Sequence, residues 1–241
     1  MRFGVPLSIT PFWSGFGPSS GRAQSIDLGG DQWPGLGTHA TRSSMQTAPS
    51  ESVTLAAPAE QKLRAYTALL ARWMPRINLV ARGDEPYLWS RHVLDSLRLL
   101  ELIPPGTDRG IDLGSGAGLP GLVLAVASGI RFELVEADRR KAAFLLEAQR
   151  VTGAPVDIHC ARIETVGLPP APLVTARALA PLETLIGLAE PLLAPGGVAL
   201  FPKGARAADE IEAARRRWRF DLELAGEAAS PILVVTGLRR G

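Results

Sequence analysis

Ile111-Asp112-Leu113-Gly114-Ser115-Gly116-Ala117-Gly118-Leu119-Pro120-Gly121 is the stretch that decides the fold. An apolar run behind Gly110 breaks into glycines and then resumes as Leu122-Val123-Leu124-Ala125-Val126-Ala127. Strand, tight turn and helix follow one another in that order. Gly114, Gly116 and Gly118 permit positive φ and a close approach of backbone to a ligand. The helix beyond them offers free N–H groups at its first turn. Asp112 stands at the tip of the strand.

The glycine spacing is G-x-G-x-G, not the G-x-G-x-x-G of dinucleotide-binding turns. Arg131-Phe132-Glu133-Leu134-Val135-Glu136 reads as a second strand ending in a carboxylate. It lies about twenty positions on, where an acid accepts hydrogen bonds from both hydroxyls of a ribose. Together the two features favour a nucleoside-cofactor site over a plain strand–turn–helix.

The chain has 241 residues, 46% of them hydrophobic, enough for one substantial domain with appendages. Its formal charge is +2 and its isoelectric point about 9.0, which permits contact with nucleic acid without demanding it. A single cysteine, Cys160, excludes an internal disulfide and suits a reducing compartment. It sits in an apolar strand pattern and is expected to be inert core. His39, His92 and His159 are scattered, so no metal site is expected. No apolar run approaches a membrane span, and a cytoplasmic location with no membrane partner is expected.

Residues 1–55 are rich in Gly, Pro, Ser and Thr and carry no sustained period. They read as a disordered extension, or as sequence upstream of a start at Met45. Pro6 and Pro11 interrupt any secretory apolar segment. From 56 to 106 the pattern is helical and forms an N-terminal cap. Leu63, Tyr66, Leu70 and Trp73 fall on one stripe, ended by Pro75. A second helix runs from Pro86 through Arg91, His92, Asp95 and Leu97 to Leu100. Pro104-Pro105-Gly106 closes it.

Residues 107–241 alternate strands and helices. A helix carries Arg139, Arg140, Lys141, Phe144 and Leu145. Strands follow at Val156–Cys160, at Leu173–Ala176 ending in Arg177, and at Val198–Phe201 ending in Lys203. Helices are expected over Thr184–Leu193 and Asp209–Arg219, and closing strands over Asp221–Leu224 and Ile232–Leu238. This alternation predicts a mostly parallel, doubly wound sheet. Ligands of such sheets sit at the C-terminal strand ends. Asp112, Glu136, Arg177 and Lys203 all fall there.

The combination resembles the class I S-adenosylmethionine-dependent methyltransferases. More narrowly it resembles the glucose-inhibited division protein B family, also called RsmG, from about Pro58 to the end. The resemblance rests on Arg76-Ile77-Asn78-Leu79, on Arg91-His92-Val93-Leu94-Asp95-Ser96-Leu97 and on Asp112 to Gly121. Glu136 with Lys141 and Phe144-Leu145, Arg162-Ile163-Glu164, Ala176-Arg177-Ala178 and Lys203-Gly204 add to it. Ala176 departs from the serine common before the arginine.

The resemblance implies a Rossmann-like, mostly parallel seven-stranded sheet with helices on both faces. It implies a monomer acting on 16S rRNA or the 30S subunit, methylating guanine N7 with S-adenosyl-L-methionine. Asp112, Gly114, Gly116, Gly118, Leu119, Glu136, Ile163, Glu164 and Arg177 are the implied cofactor residues. Glu136 would hold the ribose, and Ile163 and Glu164 would flank the adenine. Arg177 would lie beside the methionine part and the guanine pocket.

Arg91, His92, Arg139, Arg140 and Lys203 are candidates for RNA contact. Arg76, Arg82, Lys141 and the run Arg215-Arg216-Arg217-Trp218-Arg219 are further ones. The run also reads as a solvated helix end whose cations favour the dipole. No catalytic side chain is expected, because N7 carries an in-plane lone pair and needs no general base. A nicotinamide oxidoreductase, a non-catalytic RNA-binding module and a small-molecule methyltransferase are the alternatives.

Overall fold

A computed structural model of the chain describes residues 55–241. All but the last residue of the 1–55 extension, and Met45 with it, lie outside the described residues. Among the described residues, seven strands form one sheet: β1 (Arg109–Leu113), β2 (Arg131–Val135), β3 (Val156–His159), β4 (Ala171–Thr175), β5 (Leu193–Pro202), β6 (Trp218–Ala225) and β7 (Ile232–Arg240). Their order is β3-β2-β1-β4-β5-β7-β6. β1 to β5 are parallel, and β7 runs antiparallel to both its neighbours. The winding reverses between β1 and β4, so the loops leaving these two strands diverge and open a crevice.

Among the described residues, six α-helices flank the sheet: α1 (Ala57–Trp73), α2 (Leu94–Leu97), α3 (Gly121–Ser128), α4 (Arg139–Thr152), α5 (Leu182–Ala189) and α6 (Ala207–Arg215). Strand alternation sends Ile111, Leu113, Val174 and Phe201 into one core with Leu185 and Ile186 of α5 and Ile211 of α6. On the other side α1 packs on α3 and α4. The expected stripe of α1 supplies buried Leu63, Tyr66 and Leu70. Trp73 stays half-buried, set edge-on to Phe144 at 5.7 Å, with its indole N–H donated to Glu147. α4 begins on Asp138, whose carboxylate accepts from the Arg140 and Lys141 amides. It ends on left-handed Gly153.

Several sequence expectations need correction. The helix expected from Pro86 to Leu100 is not regular. It is a 3₁₀ segment at Arg82–Tyr87, a π turn at Leu88–Val93, then α2. Pro86 cannot donate to an α-helical bond, and the tighter turn absorbs it. The helix expected over Asp209–Arg219 stops at Arg215. Trp218 and Phe220 are buried and Arg219 is exposed, a period of two that belongs to β6. Helix α5 ends before Leu193, which opens β5. Cys160 is exposed and is not core. The pairing of edge strand β3 with β2 ends at His159, and the chain leaves the sheet there.

Gly121 opens α3 against the sheet. A Cβ on it would lie 2.6 Å from the Asp112 Cβ and 2.7 Å from Leu134 Cδ2. Gly121→Ala is expected to lower unfolding free energy by about 1–3 kcal/mol, the cost of overpacking a filled core. Gly83→Ala meets nothing within 4 Å and should stay within about 0.5 kcal/mol of wild type. Urea unfolding of both variants checks the contrast.

Candidate active site

The loop after β1 is bound on every side. Gly114, Gly116 and Gly118 all have positive φ (63°, 56° and 86°), which winds the backbone into a cradle. The Ser115 amide donates to the Val135 carbonyl at 3.0 Å, joining the loop to β2. The Tyr66 hydroxyl reaches from α1 to the Ala117 carbonyl at 2.7 Å. Burial raises the pKa of that hydroxyl, so it stays a donor.

Glu136 ties this loop to the next. One carboxylate oxygen accepts the Gly116 amide and the other the Asp138 amide, each at 2.8 Å. An ionised carboxylate has about four lone-pair sites, so roughly two remain for a diol. A Cβ at Gly116 would meet only the loop's own Gly114 carbonyl, at 3.8 Å, so the cradle is open there. Open backbone beside an oriented carboxylate fits the ribose of a nucleoside cofactor.

Asp112 lies beneath the cradle, fully buried. Its Oδ1 accepts from the Thr175 hydroxyl at 2.7 Å, while Oδ2 has no partner. Burial pushes its carboxyl up to about 6, against the lowering pull of the Thr175 bond. Ile163 is half-buried in a 3₁₀ turn beyond β3. Neighbouring Glu164 is exposed and 3.7 Å from Arg162. Leu119 is buried at the end of the loop.

Arg177, at the end of β4, meets the π turn. One guanidinium nitrogen donates to Asp95 at 3.2 Å and the other bonds His92 Nδ1. A guanidinium only donates, so Nδ1 must be the bare acceptor. Nε2 then carries the proton and donates to Asp84 at 3.1 Å. Burial, then the charge of Arg177, hold His92 below the usual imidazole range against the pull of Asp84. The imidazole is therefore neutral with one fixed tautomer.

Ala178 follows with φ 53°, the one non-glycine residue with positive φ among the described residues. That turn lays Leu179 over Gly114, where a Cβ would lie 2.6 Å from Leu179 Cδ1. Unfavourable backbone of this kind clusters at functional sites.

A cavity of about 610 Å³ opens here, bordered by His92, Asp95, Arg177, Leu179, Lys203 and Arg206. Its size suits a nucleoside. Lys203 does not project freely into it. Its ammonium donates to the Ala180 carbonyl at 2.9 Å and to Glu210 at 2.8 Å. Arg91 is exposed but paired with Asp84 at 2.6 Å. Arg139 and Arg140 are exposed at the start of α4. The structure thus gathers Gly114 to Gly118 and Glu136 at the cradle, and His92, Arg177 and Lys203 at the cavity. Asp84, Thr175 and the Tyr66 hydroxyl join the site without having been singled out from sequence.

A family model described as rRNA small subunit methyltransferase G, GidB, matches residues 59–228. Among relatives, a Rhodospirillum centenum protein named Ribosomal RNA small subunit methyltransferase G is 53% identical over 162 residues. That match covers 67% of this chain and 75% of the relative. A protein of the same name from Acidiphilium cryptum is 51% identical over 184 residues, covering 74% and 85%. Among solved structures, ribosomal protein L11 methylase from Lactobacillus delbrueckii subsp. bulgaricus is similar with TM-score 0.50 and 14% identity. The likeness covers 61% of this chain and 78% of that one. The fold is that of the class I S-adenosylmethionine-dependent methyltransferases.

Asp112 supplies a pH test of the buried site. Its folded pKa, about 6, lies above the model-peptide 3.8. Its stabilising contribution is therefore full below about pH 4 and is lost as pH rises through about 6. Asp112→Asn is expected to remove that loss. Measured by urea unfolding without cofactor, the variant should gain about 2–3 kcal/mol on wild type between pH 4 and 7. Parallel stability curves would show that Asp112 ionises freely in the folded protein.

Proposed function

The chain belongs to the GidB family, rRNA small subunit methyltransferase G, and we propose that it methylates N7 of a guanosine in 16S rRNA. The observation that supports this best is the adjacency of two sites. The glycine cradle with Glu136 adjoins, across Leu179, a nucleoside-sized cavity walled by Arg177 and His92.

S-adenosyl-L-methionine is the cofactor, and supplies a methyl group already activated by a sulfonium. The Gly114–Gly118 backbone and Glu136 would hold its sugar and amino acid portion. Ile163 and Glu164 would flank its adenine. Leu179 packs against Gly114, its methyl filling the space a Cβ would take. Alignment of acceptor and methyl group accounts for the catalysis, since in-line positioning alone is worth several kcal/mol.

The wall chemistry suits the acceptor. Guanine gains positive charge as N7 is methylated. A protonated histidine beside it would oppose that change, and His92 is held neutral. Arg177 donates to Asp95 at 3.2 Å, a carboxylate it shares with Arg98, and Asp84 stands behind His92. Arg177 retains donors beyond those used on Asp95 and His92, for a phosphate or the cofactor carboxylate. Among the described residues, no helix is long and apolar enough to cross a membrane, and no group of three or more His, Cys, Asp or Glu is placed to hold a metal.

Methyl transfer from labelled cofactor to purified 30S subunits, with the modified base identified, tests the assignment. The expected product is 7-methylguanosine in 16S rRNA. Methylation of another base, or transfer only to small molecules, would overturn it. Glu136→Ala should weaken S-adenosylhomocysteine binding by about 1.5–3 kcal/mol in calorimetry, the range for bonds to a charged group. Arg177→Ala should lower transfer about ten- to a hundredfold. The same calorimetry on Arg177→Ala separates a cofactor role, which weakens binding without RNA, from an RNA role, which does not.

A further inference from the structure

Three cations at the crevice meet carboxylates, while Arg206 at its border is exposed with no ion pair among the described residues. Arg91 pairs with Asp84, Arg177 with Asp95 and Lys203 with Glu210, at 2.6, 3.2 and 2.8 Å. A wall of paired cations selects more by geometry than by net charge, with Arg206 left as its free cation among the described residues. The other end of the sheet is different. The end of α6, the start of β6 and the end of β7 carry Arg215, Arg216, Arg217, Arg219, Arg239 and Arg240, all exposed. The Gly241 amide donates to the Arg217 carbonyl at 3.1 Å and holds these segments together.

Carboxylates answer two of the six. Arg216 pairs with Glu212 at 3.0 Å and Arg217 with Glu183 at 2.8 Å. Arg215 and Arg240 lie over the Phe220 and Trp218 rings, at 5.2 and 5.7 Å. Arg219 donates to the Arg215 carbonyl, and Arg239 has no ion pair among the described residues. Arg219 also stands directly opposite Arg239 across the two strands. Like charges so placed repel. An arrangement that costs the free protein stability is one that an anionic ligand relieves. A cleft of about 360 Å³ beside it is lined by Glu183, Thr184, Arg217, Trp218 and Arg240.

We infer that this arginine-bearing end is a second RNA-docking surface, which grips the phosphate backbone of ribosomal RNA away from the reaction crevice. The inference rests on the rRNA substrate proposed above. Arginine forks match phosphate oxygens in pairs. No large hydrophobic side chain is exposed between Arg215 and Phe220 or beyond Leu238, so the patch lacks the apolar residues by which a surface inserts into a membrane. Ile232 pairs with Pro202 at the crevice end of β5, and Arg239 lies seven residues further along β7. At roughly 3.3 Å per residue the two contacts are roughly 20–25 Å apart, so they grip different parts of one RNA. The surface holds the substrate and the crevice chooses the base.

The double variant Arg239→Gln/Arg240→Gln tests this, since neither arginine has a carboxylate partner and the fold should survive. Arg150→Gln, an exposed arginine on α4, is the control. Affinity for 16S rRNA is measured at about 50 and 200 mM salt, the range over which phosphate contacts are lost. The double variant should bind about tenfold more weakly at low salt and show a shallower salt dependence. Its KM for RNA should rise, while kcat at saturation and S-adenosylhomocysteine affinity stay at wild type. Wild-type affinity and salt slope, or an equal loss in Arg150→Gln, would overturn the surface. Loss of binding to phosphatidylglycerol vesicles with rRNA binding intact would overturn the choice of RNA. A wild-type protein that methylates no rRNA, but whose rRNA affinity still falls in the double variant, would overturn the proposed function and leave the surface standing.

Discussion

The Glu136 carboxylate is the joint on which the cofactor half of the site depends. It accepts one amide from the loop after β1 and one from the turn after β2, so two independent backbone segments share one anion. Glycines with positive φ have no intrinsic reason to settle in one conformation. The Gly114–Gly118 loop is fixed because its polar groups are taken up from outside: by Glu136, by the Val135 carbonyl and by the Tyr66 hydroxyl. The last bond also makes α1 part of the site's construction, because Tyr66 is fully buried against α4 through Phe144.

The substrate half is fixed differently, by the arithmetic of donors and acceptors. Arg177 can only donate, which dictates the His92 tautomer. The tautomer in turn requires an acceptor, and Asp84 provides it. Asp95 accepts from Arg177 and from Arg98, and Arg98 also donates to Ser230. One polar chain therefore runs from the irregular N-terminal helices through the end of β4 to the turn before β7. A network of this kind is stable only when every member is satisfied. His92 and Asp95 are three positions apart, where the π turn passes into α2, and so share the side that faces Arg177.

Much of this was legible in the sequence. The glycine run, the acid closing β2 and the strand–helix alternation are local signals, and local signals survive folding. The stripe Leu63, Tyr66, Leu70 placed α1 on the core, but a period says nothing of where a tyrosine hydroxyl ends. Asp84 gave no signal. It reaches His92 across eight positions through mixed 3₁₀ and π geometry, which no regular period encodes. Trp218-Arg219-Phe220 carried a strand alternation that the arginine run concealed, since a row of arginines suits a helix end equally well. Cys160 is exposed because β3 ends at His159, one residue short of the strand that Val156–Cys160 suggests, and an alternating pattern does not mark where pairing stops.

These placements give meaning to a net charge of only +2 in a protein whose substrate is a polyanion. A uniformly basic crevice would attract RNA but would also oppose the positive charge that methylation at the proposed N7 acceptor creates. Here Asp84, Asp95 and Glu210 hold Arg91, Arg177 and Lys203 in ion pairs, and the histidine among them is neutral. Charge that binds and charge that would disturb the reaction are thus kept apart. β7 is the element that makes the separation. It enters the sheet at the crevice beside Pro202, and its reversed direction carries Arg239 and Arg240 to the far end. A parallel strand in the same place would have brought those two arginines to the crevice itself.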